Sequence, residues 1–137
     1  MAVEFTDNSA KVKAAINEAS IAYLYEAGGE LEAQVKRNTR VDTGQTKGQW
    51  QYVVDESKLE TVVGNSLENA IWEEFGTGEY ALNGDGRKGG WYYVDKRGVG
   101  HFTKGKTPSR AFQKAFTSLK AALIKRAEDV LKARLNE

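Results

Sequence analysis

A chain of 137 residues is the size of one domain, since chains divide only beyond roughly 250 residues. With no cysteine and one histidine it has no disulfide framework, no thiol nucleophile and no cysteine or histidine-rich metal cluster. Net charge is +1, but residues 1–80 carry seven Lys/Arg against fourteen Asp/Glu, and residues 81–137 carry thirteen against five. Either the halves intermingle in space and cancel, or the folded molecule is electrically two-ended and suited to head-to-tail association or to nucleic acid. The start, Met1 to Asp7, has no basic segment leading into an apolar one, and no run of eighteen apolar residues occurs. The expected place of synthesis is the cytoplasm, with no membrane partner.

From Ser9 to Arg40 the residues Val12, Ile16, Ala19, Tyr23, Ala27, Leu31 and Val35 recur at three- and four-residue steps, the stripe of an amphipathic helix. Asn8 or Ser9 is the expected cap, and residues 1–8 a flexible lead. Gly28-Gly29 costs about 2 kcal/mol of helix propensity, which predicts a kink or break. Residues 49–55 (QWQYVVD) and 60–65 (ETVVGN) read as a β-hairpin. Residues 67–75 (LENAIWEEF) place Ile71, Trp72 and Phe75 at helical spacing, so a short helix is expected to dock an aromatic edge on the sheet before Gly76 stops it.

Six glycines between 76 and 90 predict a mobile surface loop, because fixing them is expensive in backbone entropy. The runs 91–94 (WYYV) and 99–103 (VGHFT) then form a second hairpin about a turn at Gly98. Thr107-Pro108 reads as the start of a last helix, with Phe112, Phe116, Leu119, Leu123, Ala127, Val130 and Leu131 continuing a stripe to the end. At about 1.5 Å per residue it runs roughly 40 Å, longer than so small a domain needs for itself. The expected architecture is a single α+β domain spanning residues 1–137: a mostly antiparallel four-stranded sheet packed by long N-terminal and C-terminal helices, with a short helix before the glycine-rich loop.

Several spellings suggest chemistry and lack its context. Residues 100–107 (GHFTKGKT) satisfy the phosphate-loop pattern, but Pro108 removes an amide where the anion would sit, and no strand–helix alternation supplies a parallel sheet. Residues 84–89 (GDGRKG) spell G-x-G-x-x-G without a preceding strand or a following helix. Asp42-Thr43-Gly44 resembles an aspartic-protease triplet, yet it follows a polar helix end and reads as a turn. Glu73 and Glu74 are adjacent on a helix and point apart, which suits solvation or an intersubunit contact better than acid–base pairing. His101 lacks a second imidazole. Trp91-Tyr92-Tyr93 beside Arg87, Lys88, Lys96 and Arg97 fits single-stranded nucleic acid, but an aromatic strand is also what a small sheet uses for its core, and the core reading is preferred. No catalytic residue, metal site or cofactor is expected.

Three stretches taken in order carry a resemblance. They are Val41-Asp42-Thr43-Gly44 leading into a tryptophan-bearing strand, Asn69 to Gly78 (NAIWEEFGTG), and Thr107 to Phe112 (TPSRAF). Together they resemble the gene-product-ten-like family of tailed-bacteriophage neck proteins, also called head-tail joining or tail-completion proteins. The Glu74-Phe75-Gly76-Thr77-Gly78 core is the most specific part. The chain departs from the family pattern at Ile71-Trp72, where alanine-tyrosine or alanine-proline is usual. The resemblance implies a virion structural subunit that forms a ring at the head-tail junction, built in the host cytoplasm, with the tail terminator as an alternative position. A nucleic-acid-binding module using the basic half is the alternative of another class. The expected partners are copies of itself, other connector and tail proteins, and phage DNA without sequence preference. Asp42, Thr43, Gly44, Trp72, Glu73, Glu74, Phe75, Gly76, Thr77, Gly78, Arg87, Lys88 and Arg110 are the expected assembly residues. Segments that become ordered only on docking would make assembly sequential.

Overall fold

The computed structural model describes residues 3–41 and 45–135. In chain order it has α1 (Ser9–Asn38), a four-residue α2 (Gln45–Gly48), β1 (Trp50–Asp55), β2 (Glu60–Asn65), α3 (Asn69–Phe75), a 3-10 turn (Gly78–Tyr80), β3 (Trp91–Val94), β4 (Gly100–Thr103) and α4 (Ala111–Leu135). The long helices pack on each other, and the β1–β2 hairpin lies against α1.

The α+β class and both hairpins are present, but the expected four-stranded sheet is not. β1 pairs antiparallel with β2, and β3 with β4, as two separate two-stranded sheets. Residue periodicity marks a strand and a tight turn marks its hairpin partner, but neither states whether two hairpins share an edge. The preferred core role for the aromatic strand also falls: β3 and β4 stand away from the core, with Tyr92 81% and Val94 69% exposed.

α1 runs unbroken through Gly28-Gly29. Gly28 is buried because the hairpin approaches there; a Cβ at Gly28 would lie 2.5 Å from Tyr52 Cδ2 and 2.7 Å from Thr61 Oγ1. Asn8 holds the expected N-cap position of α1, its carbonyl accepting the Val12 amide at 3.0 Å, but does not cap through its side chain. The Ser9 amide donates to Asp7 Oδ1 at 2.9 Å.

The core sits where α1, α4 and β1 meet, around Val35, Trp50 and Ala115, with Leu31, Val63 and Phe112 packed against them. Trp50 stacks on Phe112, centroids 6.1 Å apart, and Phe112 on Phe116 at 6.4 Å. The indole N–H of Trp50 donates to Thr39 Oγ1 at 2.9 Å, and that hydroxyl donates to the Val35 carbonyl at 2.7 Å, so the buried polar atoms are satisfied in series.

Candidate assembly surface

The assembly residues expected around the EFGTG core divide into an internal joint and an open groove. Glu74 is not solvated. It is buried, and its carboxylate accepts the amides of Phe112 and Gln113, each at 3.0 Å. An anion at these two N–H groups satisfies orphan donors of α4 and complements the positive end of its dipole. Arg110 Nη1 lies 3.7 Å from the same carboxylate, and its guanidinium sits 5.1 Å from the Phe75 ring centroid.

This remote cap moves the start of α4. The expected beginning at Thr107-Pro108 gives way to Ala111, because Arg110 has φ 54 and cannot continue a right-handed helix, while the Ser109 amide is taken by the Glu73 carbonyl at 2.7 Å. Glu73, one residue from Glu74, points elsewhere and pairs with Arg40 at 3.2 Å and with Lys106.

The turn after α3 is laced to the segment before α4. The Thr77 amide donates to the Lys106 carbonyl at 2.9 Å, the Lys106 amide to Thr77 Oγ1 at 2.9 Å, and the Glu79 amide to the Lys104 carbonyl at 2.8 Å. Gly78 has φ 62, and a Cβ there would collide with the Lys104 carbonyl, so only glycine fits. The phosphate-loop spelling therefore serves as a partner for the GTG turn: the Gly105 amide donates to Thr103 Oγ1, and Lys106 faces Glu73.

Trp72 does not lie in the core. Half exposed, it lines an open groove of about 470 Å³ with Gly76, Thr77, Gly78, Arg87 and Trp91. Arg87 rests 5.6 Å from the Trp91 centroid, whereas Lys88 is simply exposed. Asp42, Thr43 and Gly44 lie outside the described residues.

Ion pairs also bear on the charge asymmetry. Arg126 pairs with Glu26 at 2.5 Å and with Glu30; Lys106 meets Glu73, and Arg110 meets Glu74. Each joins the basic half to the acidic half, so part of the asymmetry is neutralised inside the subunit. The β3–β4 region keeps its sign: residues 87–104 hold Arg87, Lys88, Lys96, Arg97 and Lys104 against Asp95. That carboxylate accepts the amides of Arg97 (2.8 Å) and Val99 (3.0 Å) and bonds His101 Nε2 at 2.8 Å. The His101 hydrogen bond, followed by the Val99 amide, holds the Asp95 carboxyl below the usual carboxylate range.

Sequence reasoning missed the exposed apolar faces. Tyr92 and Val94 project on one side of β3, beside Phe102 of β4, whose ring centroid is 4.9 Å from that of Tyr92. On the outer side of the other hairpin, the cross-strand partners Val53 and Val62 are 66% and 63% exposed. The signal was there in WYYV and YVV, which are apolar at consecutive positions and thus on both faces of a strand.

A family model described as "Bacteriophage HK97-gp10, putative tail-component" matches residues 4–76, more than half of the chain. The chain belongs to the HK97-gp10-like family. The match takes in α1, the first hairpin and α3 as far as Gly76, so it includes the Glu73-Glu74-Phe75 end of the internal joint. No curated protein matches the chain, and no solved structure does. Membership makes it a phage tail-component protein with a structural place in the virion. Among the described residues, no helix is long and apolar enough to cross a membrane.

Proposed function

We propose that this HK97-gp10-like protein is a structural subunit of the head-tail junction, a neck or tail-completion protein that assembles as a ring and has no catalytic duty. The observation that carries the reading is the surface the subunit leaves uncovered. Its accessible area is 9869 Å². A compact monomer of this mass exposes roughly 7,100 Å² by the usual area–mass relation, so roughly 2,700 Å² is in excess, part of it on residues 3–8 ahead of α1, where Val3 and Phe5 are 92% and 89% exposed. That excess is on the scale of permanent subunit interfaces, about 2,000 Å² and upward.

Valines and aromatics are among what is uncovered: Val53, Val62, Tyr92, Val94 and Phe102 are all more than half exposed. A ring needs a heterologous interface, one patch meeting a different patch on the next copy. The subunit offers two different apolar hairpin faces, as such closure demands.

Deleting the gene from the phage that encodes it and imaging the lysate tests the reading. Filled heads beside unattached tails of normal length are expected. Overlong tails of variable length would instead assign the tail terminator, and normal joined particles would contradict both.

The nucleic-acid reading rests on the basic hairpin with exposed Tyr92 and Phe102. Single-stranded oligonucleotide binding at low salt that falls steeply as salt is added, and that disappears in Tyr92→Ala, would favour it.

A further inference from the structure

We infer that the β3–β4 hairpin of one copy lies face to face on the outer side of the β1–β2 hairpin of the next copy, so that the two sheets close over each other across the subunit boundary. The inference rests on the ring reading above and names the surfaces that make the ring.

Three observations carry it. The first is shape. On the outer face of β1–β2, Val53 and Val62 border a shallow groove of about 260 Å³ that Gln51 and Gly64 also line. Gly64 has no left-handed φ, and a Cβ there would meet nothing within 4 Å. Glycine weakens a strand interior and often marks close approach by another chain. Nothing inside the subunit approaches. Gly100 on β4 is in the same position: open space where a Cβ would be, no left-handed φ, and a place beside Val94 in the register.

The second is polarity. Tyr92, Val94 and Phe102 form an exposed apolar face, to set against Val53 and Val62 beside the open position of Gly64.

The third is charge. Residues 50–65 hold Asp55, Glu56 and Glu60 against Lys58, while the β3–β4 region keeps its five basic residues against Asp95. Opposite potentials around two apolar centres favour this pairing, and like charges oppose either hairpin pairing with its own kind. DNA would account for the cations but would leave Gly64, Val53 and Val62 uncovered; a second copy accounts for both faces. A standard interface takes roughly 800 Å² from each partner, and a ring subunit contributes two such faces, an amount that fits within the excess area.

The chain contains no cysteine, so engineered thiols report without background. Val62→Cys and Tyr92→Cys are combined in one chain, assembled into particles and treated with a short bis-maleimide; Val94→Cys replaces Tyr92→Cys if the latter blocks assembly. The expected result on denaturing gels is a ladder of covalent multimers from the double variant, lost in either single variant. A chain present in particles without a ladder overturns the inference and leaves the ring reading standing. An unsubstituted chain absent from particles overturns both. Covalent dimers from a single variant, which report like faces pairing, overturn the inference. So does a Tyr92→Cys thiol that maleimide reaches only after nuclease treatment, which reports DNA on that face.

A second variant separates folding from assembly. Gly64→Val is expected to leave the subunit's denaturation midpoint unchanged or raised, because its side chain meets open space, and to abolish incorporation into particles. Normal incorporation of a folded Gly64→Val chain overturns the proposal.

Discussion

Glu74 and Phe112 lie 38 residues apart, yet the carboxylate of one accepts the backbone amide of the other at 3.0 Å. The last helix is thus started by the short helix before the glycine-rich segment, and the most specific stretch of the family resemblance has a duty inside the subunit. Glu74→Gln keeps the shape and removes the charge, so it is expected to lower stability by about 1–3 kcal/mol in urea titration. Glu74→Lys places a second cation beside Arg110 at the positive end of α4, with an expected loss of about 3–5 kcal/mol. Any assembly defect of Glu74→Lys then follows from misfolding. A Glu74→Lys subunit of unchanged stability would show that the cap is dispensable.

Gly28 and Gly29 are neighbours with opposite requirements. Gly28→Ala puts a methyl group into the Tyr52 ring and is expected to cost about 1–3 kcal/mol despite alanine's better helix propensity. At Gly29 the nearest atom is Tyr52 Cε1 at 3.8 Å, ordinary contact, so Gly29→Ala is expected to be neutral or to stabilise by up to about 1 kcal/mol. Thermal unfolding of the two variants side by side checks the contrast.

This pair shows where reading the sequence stops. The apolar stripes of α1 and α4, the two hairpins and the short helix before Gly76 were legible, because each is written in local periodicity and turn residues. The role of Gly28 was not, since it depends on a hairpin folding back 24 residues later in the chain. The same holds for Glu74: two adjacent glutamates look alike in sequence, and only tertiary structure sends one to the α4 amides and the other to Arg40 and Lys106. Of the expected assembly residues, Trp72, Arg87 and Lys88 reach open surface, whereas Glu74, Gly76 and Gly78 are buried within the subunit. The exposed valines and aromatics were passed over because an apolar strand is ordinarily core, and a surface built for a partner has the same composition.

Asp95 gives a pH prediction. A carboxyl whose folded pKa is depressed contributes stability above its unfolded value and loses that contribution as pH falls through the folded pKa. The β3–β4 turn is therefore expected to be intact at neutral pH and to loosen on acidification below about pH 4, seen as faster exchange of the Arg97 and Val99 amides relative to their intrinsic rates. Asp95→Asn is expected to remove that pH dependence. An acid response unchanged in Asp95→Asn would place its origin elsewhere.

Thr39 joins the Trp50 indole to the Val35 carbonyl. Thr39→Val keeps the volume and leaves the buried indole N–H without its acceptor, with an expected loss of about 1–3 kcal/mol. Tryptophan fluorescence during denaturation measures it.

The central claim is that the subunit's excess surface is covered by copies of itself. Native mass measurement of the purified chain, alone and mixed with the other proteins of the junction, tests it most directly. The account predicts one discrete species containing a fixed multiple of the subunit mass in the mixture, whichever state the free chain adopts. A single copy of the chain under both conditions would contradict it.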